Sequence, residues 1–330
     1  MQRELLTEFL ITGVSSFVLT AILCRIIIPI LRNKKAGQII RPEGPKWHAT
    51  KAGTPTMGGI CFIMAMLIAL LGMTVFFAVK GRQRELIPMA LTMALAVMNG
   101  MIGFVDDYCK LLKKQNEGLK AHQKFLLQVV AAAAYILLLK ALGYVDTSLS
   151  IPFLHKTVEL GALYYVLAMS LIVGMVNSVN LTDGIDGLAA SVTLVIAGFF
   201  GFVAFALLHT SLALIAAALI GGMIGFLIFN LHPAKVFMGD TGSLFLGGAV
   251  TGMAFLINEP LVLILCGGVF LWETVSVMLQ VGSFKLRQKR IFRMSPFHHH
   301  LEQCGWKENK IVAVFCLLTA LLCALAWVGM

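Results

Sequence analysis

Residues 60–79 read ICFIMAMLIALLGMTVFFAV, a run of 20 residues without a charged side chain. A second run of this kind, LAASVTLVIAGFFGFVAFALL, covers residues 188–208. A helix of about 20 apolar residues is long enough to cross the hydrocarbon core of a bilayer. Neither run alternates polar with apolar residues, as the strands of a membrane barrel do. Because lipid offers no partner to backbone polar groups, both runs predict transmembrane helices.

The composition of the whole chain supports the same conclusion. Of its 330 residues, 59% are hydrophobic and 13% are charged, and the mean hydropathy is +0.89. A soluble domain of this size does not have that balance. We therefore predict an all-α polytopic integral membrane protein with a single domain over residues 1–330. Ten spans are expected, at about residues 7–31, 57–79, 86–105, 124–143, 162–179, 187–208, 211–229, 243–258, 261–281 and 310–329.

The orientation follows from the basic residues in the connections. One side of the predicted bundle carries 17 Lys and Arg residues in its connections, against five on the other. The basic side of a membrane protein is cytoplasmic, which places both termini outside. The cytoplasmic loops are then about 32–56, 106–123, 180–186, 230–242 and 282–309. On the outer side, residues 144–161 alternate in polarity and predict a small β-hairpin.

Seven acidic and amide side chains lie at the predicted cytoplasmic ends of the spans. An acid at the edge of lipid is energetically costly and therefore indicates a functional site. Basic residues in the same loops add charge that suits phosphate or anionic lipid, and we attribute the net charge of +10 to these roles. We expect no nucleic-acid partner. The seven residues are Asp106, Asp107, Asn180, Asp183, Asp186, Asn230 and Asp240.

Two motifs hold most of these acids. Asp106 and Asp107 are adjacent, and neighbouring helical residues point about 100° apart, so the two are not expected to face one small site equally. In residues 180–187, NLTDGIDG, Asp183 and Asp186 would share a face if helical, and the glycines would let backbone N–H groups approach a ligand. The alternatives are a solvated helix end for the first pair and a plain turn for the second motif.

Three further features lie in other loops or spans. In residues 237–243, FMGDTGS, Asp240 or Thr241 could cap the helix that follows, and capping alone would also explain the motif. The triplet 298–300 consists of consecutive histidines, which are poorly spaced to bind one ion and suit phosphate or sugar better, unless they form a plain surface loop. Glu273 lies inside a span, where it could pair with a neighbouring helix or line a groove.

Carboxylates beside basic residues, without a covalent catalytic triad, favour phosphoryl transfer. Positioning and charge neutralisation dominate that reaction, and Mg²⁺ needs only one or two carboxylates in addition to substrate phosphates. An ion-coupled transporter is the rival from another class, because membrane acids also mark ion paths. Transport favours acids near mid-span. Glu273 is the one acid among these candidates that lies there, and the others lie at the cytoplasmic ends of the spans.

The motifs also resemble a known family. Asp106-Asp107-Tyr108, the run 180–189, the run 237–240 and the run 294–300, MSPFHHH, are similar to those of the phospho-N-acetylmuramoyl-pentapeptide transferases. That family belongs to the polyprenyl-phosphate N-acetylhexosamine-1-phosphate transferase superfamily. The similarity extends from about Lys46 to Trp306, and residues 54–59 and 280–300 favour this family over its sisters.

The resemblance implies a reaction. Phospho-MurNAc-pentapeptide would pass from UDP-MurNAc-pentapeptide to undecaprenyl phosphate, giving lipid I and UMP with Mg²⁺ as cofactor. It further implies a homodimer in the bacterial inner membrane with a cytoplasmic active site. Attack could be direct or could pass through a phospho-aspartate. The nearest alternative is a sister enzyme that transfers GlcNAc-1-phosphate from UDP-GlcNAc.

The resemblance also suggests roles for individual residues. Asp240 resembles the main Mg²⁺ ligand, with Asp107 as a second candidate, and Asp106 resembles the base that deprotonates the lipid phosphate. Lys124 is preferred over Lys120 as the loop lysine. The other positions similar to active-site residues are Lys51, Thr56, Asn180, Asp183 and His299, and those similar to the uridine pocket are Gly184, Ile185, Asp186, Asn230 and Phe237. His298 and His300 complete the loop expected to recognise the sugar and peptide.

Overall fold

A computed structural model describes residues 2–33, 51, 53–113, 118–154 and 156–330. Most of the predicted loop 32–56, with Lys46, and part of the predicted loop 106–123 lie outside these residues. The described chain is mostly helical, as predicted. Its α-helices are α1 Gln2–Asn33, α2 Gly59–Val79, α3 Ile87–Lys113, α4 Ala121–Ala141, α5 Ala162–Thr182, α6 Leu188–Leu207, α7 Thr210–Asn230, α8 Gly239–Leu256, α9 Val262–Cys266, α10 Gly268–Arg287, α11 Phe297–Gln303 and α12 Glu308–Gly329.

Eight helices in the described part of the chain are long and apolar enough to cross a membrane. They are α1 to α7 and α12, and a one-turn 3-10 helix, Gln83–Leu86, extends α3 at its start. Each corresponds to one of the predicted spans. The protein is therefore a polytopic helical membrane protein.

The pattern of burial on α1 is typical of a helix surrounded by lipid. Its buried face carries polar or small side chains, among them Thr12, Ser16 and Thr20. Its exposed face is instead apolar, with Leu10 and Val14 more than half exposed. In lipid, small polar residues favour close helix packing while large apolar residues face the acyl chains. This helix therefore packs by its polar face against α2 and α7.

Helix α8 lies at the centre of the bundle and packs chiefly against α3 and α5. Every residue from Thr241 to Phe255 is buried. Because its neighbours are helices rather than lipid, α8 can contain the glycines and hydroxyl side chains that lower its mean hydropathy. It is absent from the eight candidate spans, although the prediction placed a span at 243–258.

The predicted ninth span, 261–281, is not one continuous helix. It is divided at Gly267 into the short α9 and the longer α10. A Cβ added at Gly267 would lie 2.4 Å from Met175 Cε and 2.7 Å from the backbone oxygen of Leu263. The break therefore coincides with a close approach to α5 that an apolar pattern does not reveal.

The predicted hairpin is present. Strand β1, Ser148–Ile151, pairs antiparallel with β2, Lys156–Glu159, and Ser148 lies opposite Glu159. The hairpin follows α4 and precedes α5. It lies in the connection between two candidate spans, as the alternating pattern predicts.

Candidate active site

The site is built where the first turn of α8 meets α3. A Cβ added at Gly103 would lie 2.1 Å from the backbone oxygen of Asp240, so the two helices touch at this point. Gly239, at the start of α8, has φ +71 and lies against Asp107, whose Oδ2 would be 2.5 Å from an added Cβ. Both glycines allow α8 to begin directly beside the acids of α3.

Asp240 receives side chains from three other helices. Lys124 Nζ of α4 lies 2.8 Å from Asp240 Oδ2, and Lys110 Nζ of α3 lies 3.0 Å from the same oxygen. Asn180 Nδ2 of α5 donates to Asp240 Oδ1 at 2.8 Å and to Ser243 Oγ at 2.8 Å. One carboxylate thus connects α3, α4, α5 and α8 at their ends.

Asp107 caps α8 from another helix. Its Oδ1 accepts the Asp240 N–H at 3.2 Å, and its Oδ2 accepts the Thr241 N–H at 2.9 Å and the Thr241 hydroxyl at 2.7 Å. The prediction that Asp240 or Thr241 caps this helix is therefore wrong. The helix begins at Gly239, and the acceptor that satisfies its first N–H groups comes from about 130 residues away in sequence.

Asp106 has different partners. Its Oδ2 lies 2.6 Å from Lys110 Nζ, and its Oδ1 accepts the Leu119 N–H at 2.8 Å. One oxygen from each of Asp106, Asp107 and Asp240 lies within 4.8 Å of the others, although Asp106 and Asp107 have different partners. The start of α8 lies against both residues, which brings the two diverging side chains to one place. We call Asp106, Asp107 and Asp240 the acid cluster.

A second polar cluster joins residues far apart in sequence. Lys51 Nζ lies 2.7 Å from Asp186 Oδ1 and 2.8 Å from Glu308 Oε2. The other oxygen of Asp186 accepts the Ala234 N–H at 3.0 Å and lies 2.9 Å from His232 Nδ1. The backbone N–H of Asp186 donates to Glu308 Oε2 at 3.0 Å. We call Lys51, Asp186, His232 and Glu308 the lysine-centred cluster.

Asp183 lies between the two clusters. Helix α5 ends at Thr182 and α6 begins at Leu188, so Asp183 and Asp186 belong to a turn, and the shared face expected of a helical segment does not apply. Burial raises the pKa of Asp183 well above its usual range, and the charges of Asp240, Asp107 and Asp186 raise it further. The influence of both clusters on one carboxyl group places them on the same end of the bundle.

The three histidines of α11 have three different environments. His298 is fully buried, with its Nδ1 3.0 Å from Glu273 Oε2 and its backbone N–H directed at both oxygens of Glu273. His299 Nδ1 lies 2.6 Å from Glu302 Oε2, whereas His300 Nδ1 accepts the Arg293 N–H at 3.2 Å. The structure therefore pairs Glu273, which the sequence left undecided, with His298.

His298 also contacts the turn after α5. A Cβ added at Gly184 would lie 2.2 Å from His298 Nε2. This nitrogen is buried and has no hydrogen-bond partner among the described residues. The buried pair of Glu273 and His298 thus connects α10 and α11 to the turn that holds Asp183 and Asp186.

The remaining predicted site residues lie in or near this region. Thr56 Oγ1 would be 2.9 Å from a Cβ at Gly239, beside the acid cluster. Asn230 is buried and donates from Nδ2 to the backbone oxygen of Val236 at 2.9 Å. Phe237 is half-buried and its backbone pairs with Pro55 and Gly58, while Ile185 packs in the core.

Sequence reasoning missed several members of the site. Lys110 follows Asp106 by one helical turn, a spacing that could have indicated an ion pair. His232 and Glu308 belong to none of the motifs singled out in the sequence. Both contact Asp186 across more than 40 residues of sequence, and local patterns carry no signal for such a contact.

Comparison with known proteins defines the class of protein to which the chain belongs. The family model described as Glycosyl transferase family 4 matches residues 89–258, which includes both acids of α3 and Asp240. The chain is therefore a membrane protein of glycosyl transferase family 4. A shorter pattern, the phospho-N-acetylmuramoyl-pentapeptide-transferase signature 1, matches residues 51–63.

Curated relatives narrow the class. A protein of Clostridium perfringens is 47% identical over 317 residues, which cover 96% of this chain and 95% of that protein. A relative from Bacillus cytotoxicus is 44% identical over 93% of this chain and 93% of its own length. A relative from Halalkalibacterium halodurans is 43% identical over 96% of this chain and 96% of its own length. All three are named phospho-N-acetylmuramoyl-pentapeptide-transferase. The chain belongs to the phospho-N-acetylmuramoyl-pentapeptide-transferase family.

Proposed function

We propose that this protein transfers phospho-MurNAc-pentapeptide from UDP-MurNAc-pentapeptide to undecaprenyl phosphate, and so forms lipid I and UMP for peptidoglycan synthesis. The observation that carries the proposal is the acid cluster, in which three carboxylates approach within 4.8 Å beside the ammonium groups of Lys110 and Lys124. Family membership supplies the identity of the substrates. Phosphoryl transfer needs little more from a protein than such a set of charges, held in place.

The acid cluster fits Mg²⁺, because its donors are carboxylate oxygens and Mg²⁺ takes one or two of these while keeping water and phosphate ligands. We assign Asp240 as the main ligand with Asp106 beside it. Both oxygens of Asp107 accept backbone N–H groups of α8, whereas Asp106 Oδ2 and Asp240 Oδ2 face lysine side chains that can move. Asp107 therefore supports the site by positioning Asp240. When bound, Mg²⁺ would neutralise charge on the diphosphate oxygens.

Lys124 is placed to receive the phosphate of the lipid acceptor. A cavity of about 410 Å³ lies at the start of α4, and its lining includes Lys124, Phe125 and Asn177. Phe125 is 58% exposed. We place the acceptor phosphate at Lys124 and the first isoprene units along Phe125. In this arrangement Asp106, held by Lys110, is close enough to the site to accept a proton from the phosphate.

The nucleotide end of the donor is assigned to the lysine-centred cluster and its surroundings. The turn 183–186 contributes Asp186 to this cluster, and Asn230 has a buried Oδ1 with no hydrogen-bond partner in the described part of the chain. We propose that Phe237 stacks on uracil and that Asn230, with the turn residues Gly184 and Ile185, completes that pocket. His299 and the more exposed His300 would contact the sugar and peptide.

The membrane arrangement is also a proposal. We infer that α8 and the α9–α10 pair complete ten crossings together with the eight candidate spans. The excess of Lys and Arg on one side supports a cytoplasmic active site and extracytoplasmic termini. The resemblance to the family supports a homodimer in the inner membrane.

The experiment that tests the reaction is UMP release by purified protein. The assay contains undecaprenyl phosphate, Mg²⁺ and either UDP-MurNAc-pentapeptide or UDP-GlcNAc. Release with UDP-MurNAc-pentapeptide alone is expected. Release with UDP-GlcNAc alone would identify a sister transferase, and folded protein that releases UMP from neither would contradict a transferase function.

A further inference from the structure

A long groove lies between α1 and α2, far from the acid cluster. The active site adjoins Gly59, the first residue of α2, whereas the groove is formed by the last three turns of α2 and the first half of α1. Its volume is about 540 Å³. It extends from Arg3 to Leu19 along α1, which is about 24 Å at the usual rise of an α-helix.

One carboxylate in this groove lacks a hydrogen bond. Glu8 is 4% exposed, and its Oε1 has no hydrogen-bond partner within the described residues. The nearest cation is Arg82, whose Nη1 lies 3.8 Å away. Arg82 makes its hydrogen bonds to both oxygens of Glu85 instead, each at 2.7 Å. A buried acceptor without a donor is unfavourable, so Glu8 is suited to a ligand that brings an N–H group.

Cations lie at the same end of the groove. Arg3 and Lys80 both line it, together with Glu4, and Lys80 Nζ is 4.2 Å from the ring centroid of Phe76. Further along the groove, the lining is mainly apolar, with Thr12 and Ser15 among residues such as Ile11 and Leu19. A ligand that matches these groups has an N–H donor for Glu8, an anionic oxygen for Arg3 and Lys80, and an apolar chain.

Gly72 keeps the groove open. It is an exposed position in the interior of α2 and lines the groove. A Cβ added there would contact nothing within 4 Å, so helix packing does not require glycine. Glycine weakens a helix interior. Here the absence of a side chain at Gly72 keeps this part of the groove open.

We propose that this groove binds an aminophospholipid. Its ammonium group would donate to Glu8 Oε1, its phosphate would pair with Arg3 and Lys80, and one acyl chain would lie along the groove toward Leu19. Phosphatidylethanolamine is the simplest lipid with this chemistry. The site is separate from the transferase reaction and would stabilise the packing of α1 against α2.

The test compares two lipids that differ only at the nitrogen. Purified full-length protein in detergent is titrated with phosphatidylethanolamine or with phosphatidylcholine of the same acyl chains, and binding is followed by native mass spectrometry. Phosphatidylcholine has the same charge but no N–H donor. We expect phosphatidylethanolamine to bind about tenfold more tightly, as one charge-assisted hydrogen bond predicts. Equal affinity for the two lipids would overturn the proposal.

Two variants, each with a control, test the contact to the lipid head group and the shape of the groove separately. Glu8→Gln should abolish the preference for phosphatidylethanolamine, while Glu85→Gln, which disturbs Arg82 but does not line the groove, should preserve it. Gly72→Leu should weaken binding of both lipids. Gly174→Leu is its matched control, because Gly174 is also an exposed helical glycine with nothing near its Cβ. Retained preference in Glu8→Gln, or unchanged binding in Gly72→Leu, would refute the site.

Discussion

The acid cluster and the lysine-centred cluster each bring three metal-ligating side chains within 4.8 Å, yet their surroundings differ. In the acid cluster, Lys110 bridges Asp106 and Asp240, and Lys124 pairs with Asp240, whose side chain is 20% exposed. In the lysine-centred cluster, Lys51 lies between two carboxylates, and Asp186 is 1% exposed with both oxygens engaged. Both clusters contain lysine ammonium groups, so what distinguishes them is exposure. Asp240 is partly open, so a cation and a phosphate can approach it, whereas Asp186 is closed off. An equal set of ligands therefore does not imply an equal function.

The largest expected effect is at Asp240. Asp240→Asn keeps the size of the side chain but removes the charge that we assign to the metal, and should lower the rate of UMP release by about 100-fold or more. Asp146→Asn is a suitable control, because Asp146 is an exposed acid beside the hairpin. Near-normal turnover in folded Asp240→Asn protein would remove the acid cluster from the reaction.

Variants of Asp106 and Asp107 distinguish a role in the reaction from a role in capping α8. Asp107→Asn places an amide N–H₂ group against the N–H groups of α8, and should lower the stability by about 1 kcal/mol, the usual loss for a helix cap, in addition to lowering activity. Asp106→Asn should lower activity with a smaller change in stability. Thermal unfolding and UMP release measured on both variants check this, and equal losses of stability would contradict the assigned division.

Glu308 tests whether the lysine-centred cluster lies outside the reacting centre. Glu308→Gln removes one of the two carboxylates that hold Lys51, and should raise KM for UDP-MurNAc-pentapeptide about tenfold, equivalent to about 1.4 kcal/mol, with little change in kcat. Steady-state kinetics separates the two constants. A fall in kcat with unchanged KM would move this cluster into the chemical step.

An effect of the same size is expected at the buried pair of Glu273 and His298. Since both side chains are fully buried and contact each other, removing either should disturb the turn at Gly184 in the same way. Glu273→Gln and His298→Asn should each lower kcat/KM about tenfold, and the double variant should be little worse than either single one. Additive losses would show that the two residues act separately.

Much of the fold is predictable because its signal is local. Runs such as 60–79 coincide with helices, and the alternation in 144–161 coincides with β1 and β2. The break at Gly267 was not predicted, because it depends on the approach of Met175 rather than on a change in hydropathy. The low mean hydropathy of α8 likewise depends on its burial among other helices.

The site was predictable to a similar extent. Asp106, Asp107 and Asp240 come together as the motifs suggest, but the role of Asp107 as the cap of α8 depends on a contact across the bundle. Glu308 and His232 reach Asp186 from other parts of the chain. A single sequence reports periodicity and spacing over a few turns, and long-range partners of this kind leave no trace in it.

The most direct measurement of the central claim is binding of Mn²⁺, as a spectroscopic substitute for Mg²⁺, by electron paramagnetic resonance. Purified wild-type protein is compared with Asp240→Asn and Glu308→Gln at equal concentration. The predicted result is that Asp240→Asn loses the bound Mn²⁺ signal and Glu308→Gln retains it. Loss of the signal in Glu308→Gln, with retention in Asp240→Asn, would contradict the assignment of the metal to the acid cluster.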